Sequence, residues 1–167
     1  MACQRPPGQT AGHDLAAKGM GMRVLARAFL WLHVMLYRLT NGRIGGRFLG
    51  GTSILLLTTI GRRTGKRRTR PLVYVRDGER LVLCASNGGS PRHPAWYLNL
   101  QATGRAEIQV GPERLAVTTE TAAASERSRL FPRFVQLYKG YAAYEQKTSR
   151  EIPLVLLTPD HPASTTP

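Results

Sequence analysis

Three short apolar runs joined by turns lie in the middle of the chain and constrain its fold more than any other feature. The first, Ser53 to Ile60, is continuous and β-prone, typical of a strand buried on both faces. The second runs from Pro71 to Val75, and the hairpin signal Asp77-Gly78 leads into the third, Arg80 to Ala85. Pro71 is expected to begin its strand, because proline cannot donate to a ladder. The spacing predicts an antiparallel meander.

A short helix, a second hairpin, two helices separated at Pro132 and a last strand are predicted after the meander. Their ranges are Pro94 to Leu100, Ala106 to Val110 with Arg114 to Thr119, Ala122 to Phe131, Pro132 to Glu145, and Ile152 to Leu157. Strands that begin antiparallel, with helices around them, predict a mainly β fold of the α+β type. The expected architecture is a small β-barrel with outer helices rather than a doubly wound sheet.

The 167 residues make one ordinary domain with an extension at each end. Residues 1–21 contain several glycines and prolines and are predicted to form a flexible arm, and residues 159–167 a disordered tail. Between them lie a predicted amphipathic helix, residues 22–42, and the barrel domain, residues 43–158.

The predicted first helix has apolar residues at the spacing of a helix face. They are Leu25, Ala28, Phe29, Leu32, Met35, Leu36 and Leu39. Arg27, His33 and Arg38 interrupt the segment too often for a membrane span. Two interpretations stay open: the helix covers one side of the barrel, as surface helices commonly do, or it lies at a membrane surface.

Positive charge is concentrated in the first part of the chain. The formal net charge is +14, and residues 1–70 hold 13 of the 24 lysines and arginines against one acid, Asp14. Six cations fall in the ten residues from Gly61 to Arg70, between the first two predicted strands. We therefore expect an anionic partner on one face, although charge alone does not separate a phosphate ligand, anionic lipid and nucleic acid.

Several kinds of site are not indicated by the sequence. The four histidines are scattered and the two cysteines are far apart, so neither a metal site nor a disulfide framework is predicted. No catalytic triad or carboxylate pair stands out, and the glycines near 61–65 and 88–89 do not fit a nucleotide fingerprint. The first 20 residues lack the apolar core of a secretory signal, so a cytoplasmic location is expected.

Several segments become recognisable when taken together, in their order and spacing. They are Leu57-Thr58-Thr59-Ile60-Gly61-Arg62-Arg63-Thr64-Gly65, Arg68, Pro71-Leu72, Tyr74, Asp77-Gly78, Ala85-Ser86-Asn87-Gly88-Gly89 and Pro94-Ala95-Trp96-Tyr97-Leu98-Asn99-Leu100. The set resembles the deazaflavin-dependent nitroreductase family over about Arg47 to Leu157. Members of that family are split β-barrel oxidoreductases, FMN-binding-like in fold, that use coenzyme F420. The resemblance implies the same fold and cofactor for this chain.

The resemblance gives the basic turn a role. F420 carries a phosphodiester and a polyglutamate tail, and arginine forks bind phosphate oxygens bidentately. The cofactor residues implied in the turn are Arg62, Arg63, Thr64, Gly65, Lys66, Arg67 and Arg68. The first two arginines and Arg68 match the family's positions at the phosphate, and Lys66 and Arg67 are expected near the tail.

The same resemblance places further residues at the cofactor ring. Pro71 and Leu72 are expected to lie against it, Trp96 to line the pocket, and the loop after the third strand to approach the ring's edge. The residues of that loop are Ser86, Asn87, Gly88 and Gly89. Taken alone, a tryptophan at the start of a helix is more often a core residue.

Three tyrosines, Tyr138, Tyr141 and Tyr144, have the spacing of a stripe along one side of a helix. One interpretation is an aromatic packing face. The resemblance implies instead that they border the substrate pocket and, with Ser86, are the catalytic hydrogen-bond or proton donors. A phenol with a pKa near 10 is protonated at neutral pH and able to donate. Val73 stands where the nitroreductase member has a tyrosine, which predicts a different substrate range.

The main hypothesis is an enzyme that transfers a hydride from reduced F420 to a small hydrophobic, electron-poor acceptor such as a quinone, with nitroaromatics as further substrates. An FMN enzyme, or a carrier of a flavin or deazaflavin with the same fold, is the alternative. A nucleic-acid-binding barrel is disfavoured because the basic turn has no aromatic residue for base stacking. Peripheral contact with the inner face of the cell membrane, and the choice between monomer and homodimer, stay open.

Overall fold

The computed structural model describes residues 25, 28–46 and 52–160. The predicted arm, the start of the predicted first helix and residues 161–167 of the predicted tail lie outside these residues. The barrel extends slightly past its predicted end. Pro159 is the last residue of a strand, and the Asp160 carboxylate accepts a hydrogen bond from Arg105 at 2.7 Å.

Six antiparallel strands form a closed barrel, which confirms the predicted β-barrel fold. The strands are β1 (Ile54–Ile60), β2 (Arg67–Asp77), β3 (Arg80–Cys84), β4 (Arg105–Val110), β5 (Glu113–Thr121) and β6 (Leu154–Pro159). They are ordered β1-β2-β3-β6-β5-β4, and β4 pairs with β1 to close the barrel. The meander of β1, β2 and β3 is the one that the turn spacing predicts.

Strand β1 is buried on both faces, as its continuous apolar run predicts. Leu55 and Leu57 face the barrel interior, where they join the main hydrophobic core. Ile54 and Leu56 face outward and pack under the first helix. Burying an aliphatic side chain fully contributes about 1.5–3 kcal/mol, so this strand is a large share of the core.

Strand β2 begins four residues earlier than predicted, and Pro71 lies inside it rather than at its start. Pro71 stands opposite Leu56 of β1, whereas β2 pairs with β3 only from Tyr74 to Asp77. One edge of β2 is therefore free at Pro71, and a free edge tolerates the missing N–H. The residues of β2 that precede Tyr74 do not pair with β3, and this gap opens the barrel on that side.

Helix α1 (residues 28–39) packs on the outer face of β1 and β2, but by a different face from the predicted one. Tyr37 is 1% exposed and Val34 is partly buried, whereas Phe29 and Leu32 of the predicted face are exposed. The phenol of Tyr37 decides the orientation, because it bonds to main-chain groups of three segments. Its oxygen lies 3.0 Å from the Ile54 carbonyl, 3.4 Å from the Gln109 carbonyl and 3.0 Å from the Gly111 amide.

Three further helices surround the barrel: α2 (Ala95–Thr103), α3 (Ala124–Leu137) and α4 (Gly140–Gln146). The predicted helix break at Pro132 is wrong, since Pro132 lies inside α3. Leu130, Phe131 and Phe134 bury themselves in the cluster outside β3 and β6, and this burial outweighs the proline's cost of about 3 kcal/mol. The helix ends instead before Tyr138, whose backbone is extended.

None of the helices in the part of the chain that the structure describes is long and apolar enough to cross a membrane.

The Tyr37 hydroxyl predicts a stability effect that can be measured. Tyr37→Phe keeps the ring but leaves the Gly111 amide without its acceptor, so we expect a loss of about 1–3 kcal/mol in the free energy of unfolding. Urea denaturation of the purified protein measures this loss. Trp31→Phe on the exposed side of α1 is the control and should change stability by less than about 0.5 kcal/mol. Equal stability of Tyr37→Phe and the wild type would contradict the anchoring role.

Candidate active site

A cleft of about 720 Å³ opens where β2 and β3 separate, and its volume is within the range of small-molecule sites. Nine of the residues predicted for cofactor or substrate line it. They are Pro71, Leu72, Ser86, Asn87, Gly88, Trp96, Tyr138, Tyr141 and Tyr144. The structure therefore brings together side chains from β2, the loop after β3, α2 and the α3–α4 junction.

One part of the cleft wall is apolar and rigid. Pro71 and Leu72 come from β2, and Trp96 comes from the first turn of α2. Trp96 is 9% exposed and belongs to the barrel core, where its ring meets the Tyr97 ring edge-on at 6.3 Å. The tryptophan is thus both a core residue and a wall of the cleft, so the two interpretations of the sequence do not exclude each other.

The predicted residues of the basic turn do not line the cleft. They are Arg62, Arg63, Thr64, Gly65, Lys66, Arg67 and Arg68, and all are exposed at the connection between β1 and β2. The turn is fixed to α2 by the buried Asn99. Its Oδ1 accepts a hydrogen bond from the Arg62 amide at 3.1 Å, and its Nδ2 donates to the Thr59 hydroxyl at 3.0 Å. Because α2 also carries Trp96, the turn and the cleft share one support.

Local contacts inside the turn assign different roles to its members. The Thr64 hydroxyl accepts a hydrogen bond from the Lys66 amide at 3.4 Å, and Gly65 has φ +64°, a conformation that glycine adopts without strain. Arg67 donates to Glu107 of β4 at 2.8 Å, which directs it away from the cleft. Arg67 therefore differs from the other predicted cations of the turn, since Arg62, Arg63, Lys66 and Arg68 have no ion-pair partner among the described residues.

A row of side chains on β2 connects the turn to the cleft. Arg68, Arg70 and Leu72 lie on the same face of the strand, because alternate residues share a face. Arg70 and Leu72 both line the cleft, and Arg68 lies one strand repeat, about 6.6 Å, beyond Arg70. Neither arginine has an ion-pair partner among the residues that the structure describes. Positive charge therefore extends from the cleft to the turn.

The loop after β3 approaches the cleft through a left-handed turn. Asn87, Gly88 and Gly89 all have positive φ, between +49° and +77°, and Asn87 and Gly88 line the cleft. Gly89 does not line it. A Cβ added there would lie 3.0 Å from the Tyr144 carbonyl oxygen, so Gly89 allows the loop to pack against α4.

The three tyrosines form a cluster but do not share one helix. Tyr138 is the extended residue between α3 and α4, and Tyr141 and Tyr144 belong to α4. The ring centroids are 5.9 to 6.3 Å apart, and Tyr141 also packs edge-on against Phe134. The cluster is therefore partly a packing face and partly a wall of the cleft.

Burial decides the protonation of Tyr141 and Tyr144. It raises the pKa of Tyr141 above the ordinary value, and the neighbouring Cys84 and tyrosines act in the same direction. The pKa of Tyr144 is also raised, first by burial and then by a hydrogen bond with Tyr138. These two phenols are therefore protonated donors at neutral pH.

Sequence reasoning did not assign Arg70, His93 or Arg150 to the site. Arg70 was counted among the cations but not assigned to the cleft, which it lines together with His93. The Arg150 guanidinium donates to the carbonyl oxygens of Ala85, Ser86 and Ser90 at 2.8 to 3.2 Å. No local pattern marks Arg150, because its partners lie about 60 residues away along the chain.

No group of three or more metal-ligating side chains occurs among residues 25, 28–46 and 52–160. Cys84, which lines the cleft, has its pKa raised to about 12, chiefly by burial, so its thiol is neutral.

A closed six-stranded antiparallel barrel with outer helices and a side cleft is the architecture of split-barrel, FMN-binding-like proteins. Comparison with known families makes the assignment specific. The sequence model of the F420H(2)-dependent quinone reductase family matches residues 30–159. The chain belongs to the F420H(2)-dependent quinone reductase family, and the resemblance to deazaflavin-dependent enzymes is confirmed.

Individual relatives agree with this assignment. The F420H(2)-dependent quinone reductase Rv1261c of Mycobacterium tuberculosis is 42% identical over 137 residues, which cover 77% of this chain and 89% of the relative. A solved F420-H2 dependent reductase, FDR-A, is 36% identical with a TM-score of 0.57, covering 62% of this chain and 92% of the other. Another solved relative, described as a domain-swapped dimer, is 34% identical with a TM-score of 0.60, covering 76% and 96%.

The Tyr138–Gly140 contact generates a prediction about the shape of the cleft. A Cβ added at Gly140 would overlap the Tyr138 ring, so Gly140→Ala should displace that ring from the cleft. We expect a several-fold change in the KM for a quinone acceptor, of the same direction and size as in Tyr138→Ala.

A double-mutant cycle checks the cause. Once Tyr138 is already alanine, adding Gly140→Ala should have no further effect on KM, because the clashing ring is gone. Additive effects of the two substitutions would show that Gly140 acts through the backbone of α4 rather than through Tyr138.

Proposed function

We propose that this protein reduces quinones with the reduced deazaflavin F420 as its hydride donor. The observation that carries the proposal is the continuity of an apolar cleft with a row of cations on one strand face, from Leu72 through Arg70 and Arg68 to the turn. A cofactor with a planar ring and an anionic tail needs both features in this arrangement. Membership of the F420H(2)-dependent quinone reductase family supports the same proposal.

The residues fit the cofactor in kind. Pro71, Leu72 and Trp96 offer apolar surface to a planar ring, and the positive-φ loop at Asn87 and Gly88 lets main chain approach the ring's edge. Arg62, Arg63, Lys66 and Arg68 are exposed and, among the described residues, take part in no ion pair. They are the residues that would hold the phosphate and the glutamate tail.

Reduction of a quinone to a hydroquinone adds two electrons and two hydrogen nuclei. A hydride brings both electrons and one of the hydrogens, and the second hydrogen arrives as a proton. The bound reduced cofactor supplies the hydride. The chain itself must hold the acceptor beside the ring, exclude water and provide the remaining proton or a hydrogen bond to the quinone oxygen.

The tyrosine cluster and Ser86 are suited to the last task. Tyr141 and Tyr144 stay protonated because burial raises the pKa of each, and Tyr138 is 54% exposed at the cleft's edge. A phenol of raised pKa is a weak acid, so these groups keep their protons and act as hydrogen-bond donors to the acceptor oxygen, and the remaining proton of the hydroquinone comes from water. Ser86 also lines the cleft and is a second donor.

Oxidation of reduced F420 by a panel of quinones and nitroaromatics, followed by absorbance of the oxidised deazaflavin, tests the activity. We expect turnover with quinones, and titration by ring fluorescence should give tighter binding of F420 than of FMN. Tight FMN binding without F420 binding would replace the proposal by the flavin alternative.

The role of the turn is tested with Arg63→Ala. Loss of one charge-assisted contact to the cofactor's phosphate should raise the Kd for F420 about tenfold, or about 1.4 kcal/mol. Arg114→Ala is the matched control, because Arg114 is also exposed but lies far from the turn. It stands opposite Gln109 in the β4–β5 ladder, and Gln109 is near the end of β4 that is away from the turn. An equal effect of the two substitutions would reduce the role of the turn to general charge.

We also propose that α1 lies at the surface of an anionic membrane on the cytoplasmic side, which brings the cleft near lipid-soluble quinones. Phe29 and Trp31 are 72% and 67% exposed, and Leu39 and Ile44 are exposed beside the cations Arg38 and Arg43. Exposed aromatic side chains beside cations are typical of helices that bind at a membrane interface.

Sedimentation with vesicles tests this contact. We expect binding to vesicles that contain phosphatidylglycerol, weaker binding to pure phosphatidylcholine, and loss of binding in Phe29→Ser/Trp31→Ser, whose substituted residues are already exposed. If Phe29 and Trp31 instead form a dimer interface, the double substitution should lower the molecular mass measured in solution by light scattering.

A further inference from the structure

His93 lies in the wall of the cleft, immediately before the proline that caps α2. Its ring packs on Tyr97, with the centroids 5.1 Å apart and the planes tilted by 44°. Its main-chain neighbour Pro94 and the packed Tyr97 hold the imidazole in one place. His93 is only partly exposed, and it lines the cleft.

Arg150 determines which ring nitrogen of His93 carries the hydrogen. Nη1 of Arg150 lies 3.2 Å from Nδ1 of His93, and the other guanidinium nitrogens donate to main-chain carbonyls of the same loop. A guanidinium only donates hydrogen bonds, so Nδ1 must accept one and cannot bear a proton. The imidazole is therefore neutral, and its hydrogen is on Nε2.

The Nε2 atom has no hydrogen-bond partner among the residues that the structure describes. No buried side-chain nitrogen or oxygen of those residues lacks a partner, so Nε2 is not enclosed in the protein. Nε2 is therefore an accessible donor on a residue that lines the cleft. Burial, followed by the charge of Arg150, lowers the pKa of His93, which is consistent with a neutral ring at pH 7.

We propose that Nε2–H of His93 donates a hydrogen bond to a carbonyl oxygen of a planar ligand in the cleft, and that Arg150 is the positioning residue that fixes this tautomer. The inference rests on the proposed function for its ligand class. Carbonyl oxygens occur on both a quinone acceptor and the deazaflavin ring, and the experiment separates these two sources.

The tautomer is measured directly on the full chain without any ligand. Long-range ¹H–¹⁵N NMR correlation of ¹⁵N-histidine-labelled protein should assign an unprotonated Nδ1 and a protonated Nε2 to His93 at pH 7. Arg150→Met should weaken this preference toward the tautomer ratio of a free imidazole, because Nδ1 then loses its donor. A protonated Nδ1 in the wild type would overturn the inference, whatever the enzyme's activity.

Two isosteric substitutions test the donor itself. In His93→Asn the side-chain oxygen replaces Nδ1 and still accepts from Arg150, but nothing replaces the Nε2 donor. In His93→Gln the amide nitrogen reaches the position of Nε2 and can donate there. Urea unfolding of both variants checks that the loop from Ser86 to His93 is intact.

We expect His93→Asn to weaken ligand binding about three- to tenfold, as for the loss of one neutral hydrogen bond. His93→Gln should recover at least half of that loss. A higher Kd for F420 by fluorescence titration identifies the cofactor ring as the ligand, and a higher KM for menadione at saturating reduced F420 identifies the acceptor. Unchanged values in His93→Asn, or equal losses in both variants, would overturn the inference.

Failure of this inference is distinguishable from failure of the proposed function. If the wild-type protein oxidises reduced F420 with quinones and His93→Asn has the same constants, the proposed function stands and the His93 contact is rejected. If the wild-type protein has no such activity but His93→Asn raises the Kd for F420, the His93 contact stands and the quinone reaction is rejected.

Discussion

The pairing of β1 with a strand on each side is the interaction on which the rest of this structure depends. β1 bonds to β2 along its whole length and to β4 at its centre, which closes the barrel, and its two faces supply both the interior core and the seat of α1. A central strand with both edges paired and both faces buried cannot shift register without exposing apolar side chains. The turn that leaves β1 is therefore held in one position relative to the barrel and, through Asn99, to α2.

The cleft exists because β2 is less completely paired than β1. Its first seven residues have a strand on one side only, and Pro71 has no N–H that a neighbouring strand would require. The free edge lies beside Ser86 to Gly88 rather than beside a strand, so main-chain groups from both segments border the same space. An incomplete ladder thus provides a binding surface within an otherwise closed barrel.

The sequence predicted the features that are decided locally and missed those decided by distant contacts. Continuous β-prone runs and tight turns indicated the meander, and the resemblance pointed to Trp96 and the loop at Ser86, which the structure brings to the cleft. Pro132 lies within a helix because its neighbours bury apolar side chains, which periodicity does not reveal.

The contacts of α1, and of Arg150 with His93, are likewise long-range. The buried face of α1 is chosen by main-chain partners of Tyr37 that are up to 74 residues away. Arg150 and His93 are 57 residues apart, and nothing in the local sequence around either residue indicates that they meet. Such pairs are specified by the closed barrel, so they can be recognised only once its topology is known.

The two walls of the cleft are attached to the protein in different ways. Pro71 and Leu72 belong to a strand whose register is fixed by the β1 pairing, whereas Tyr141 and Tyr144 lie on a seven-residue helix that packs on α3 and on Gly89 without any strand bonds of its own. Changes in residues 138–146 therefore alter one wall without removing any strand pairing of the barrel. On the proposed assignment of these walls, members of such a family can diverge in the molecules they reduce while keeping the wall from β2 constant.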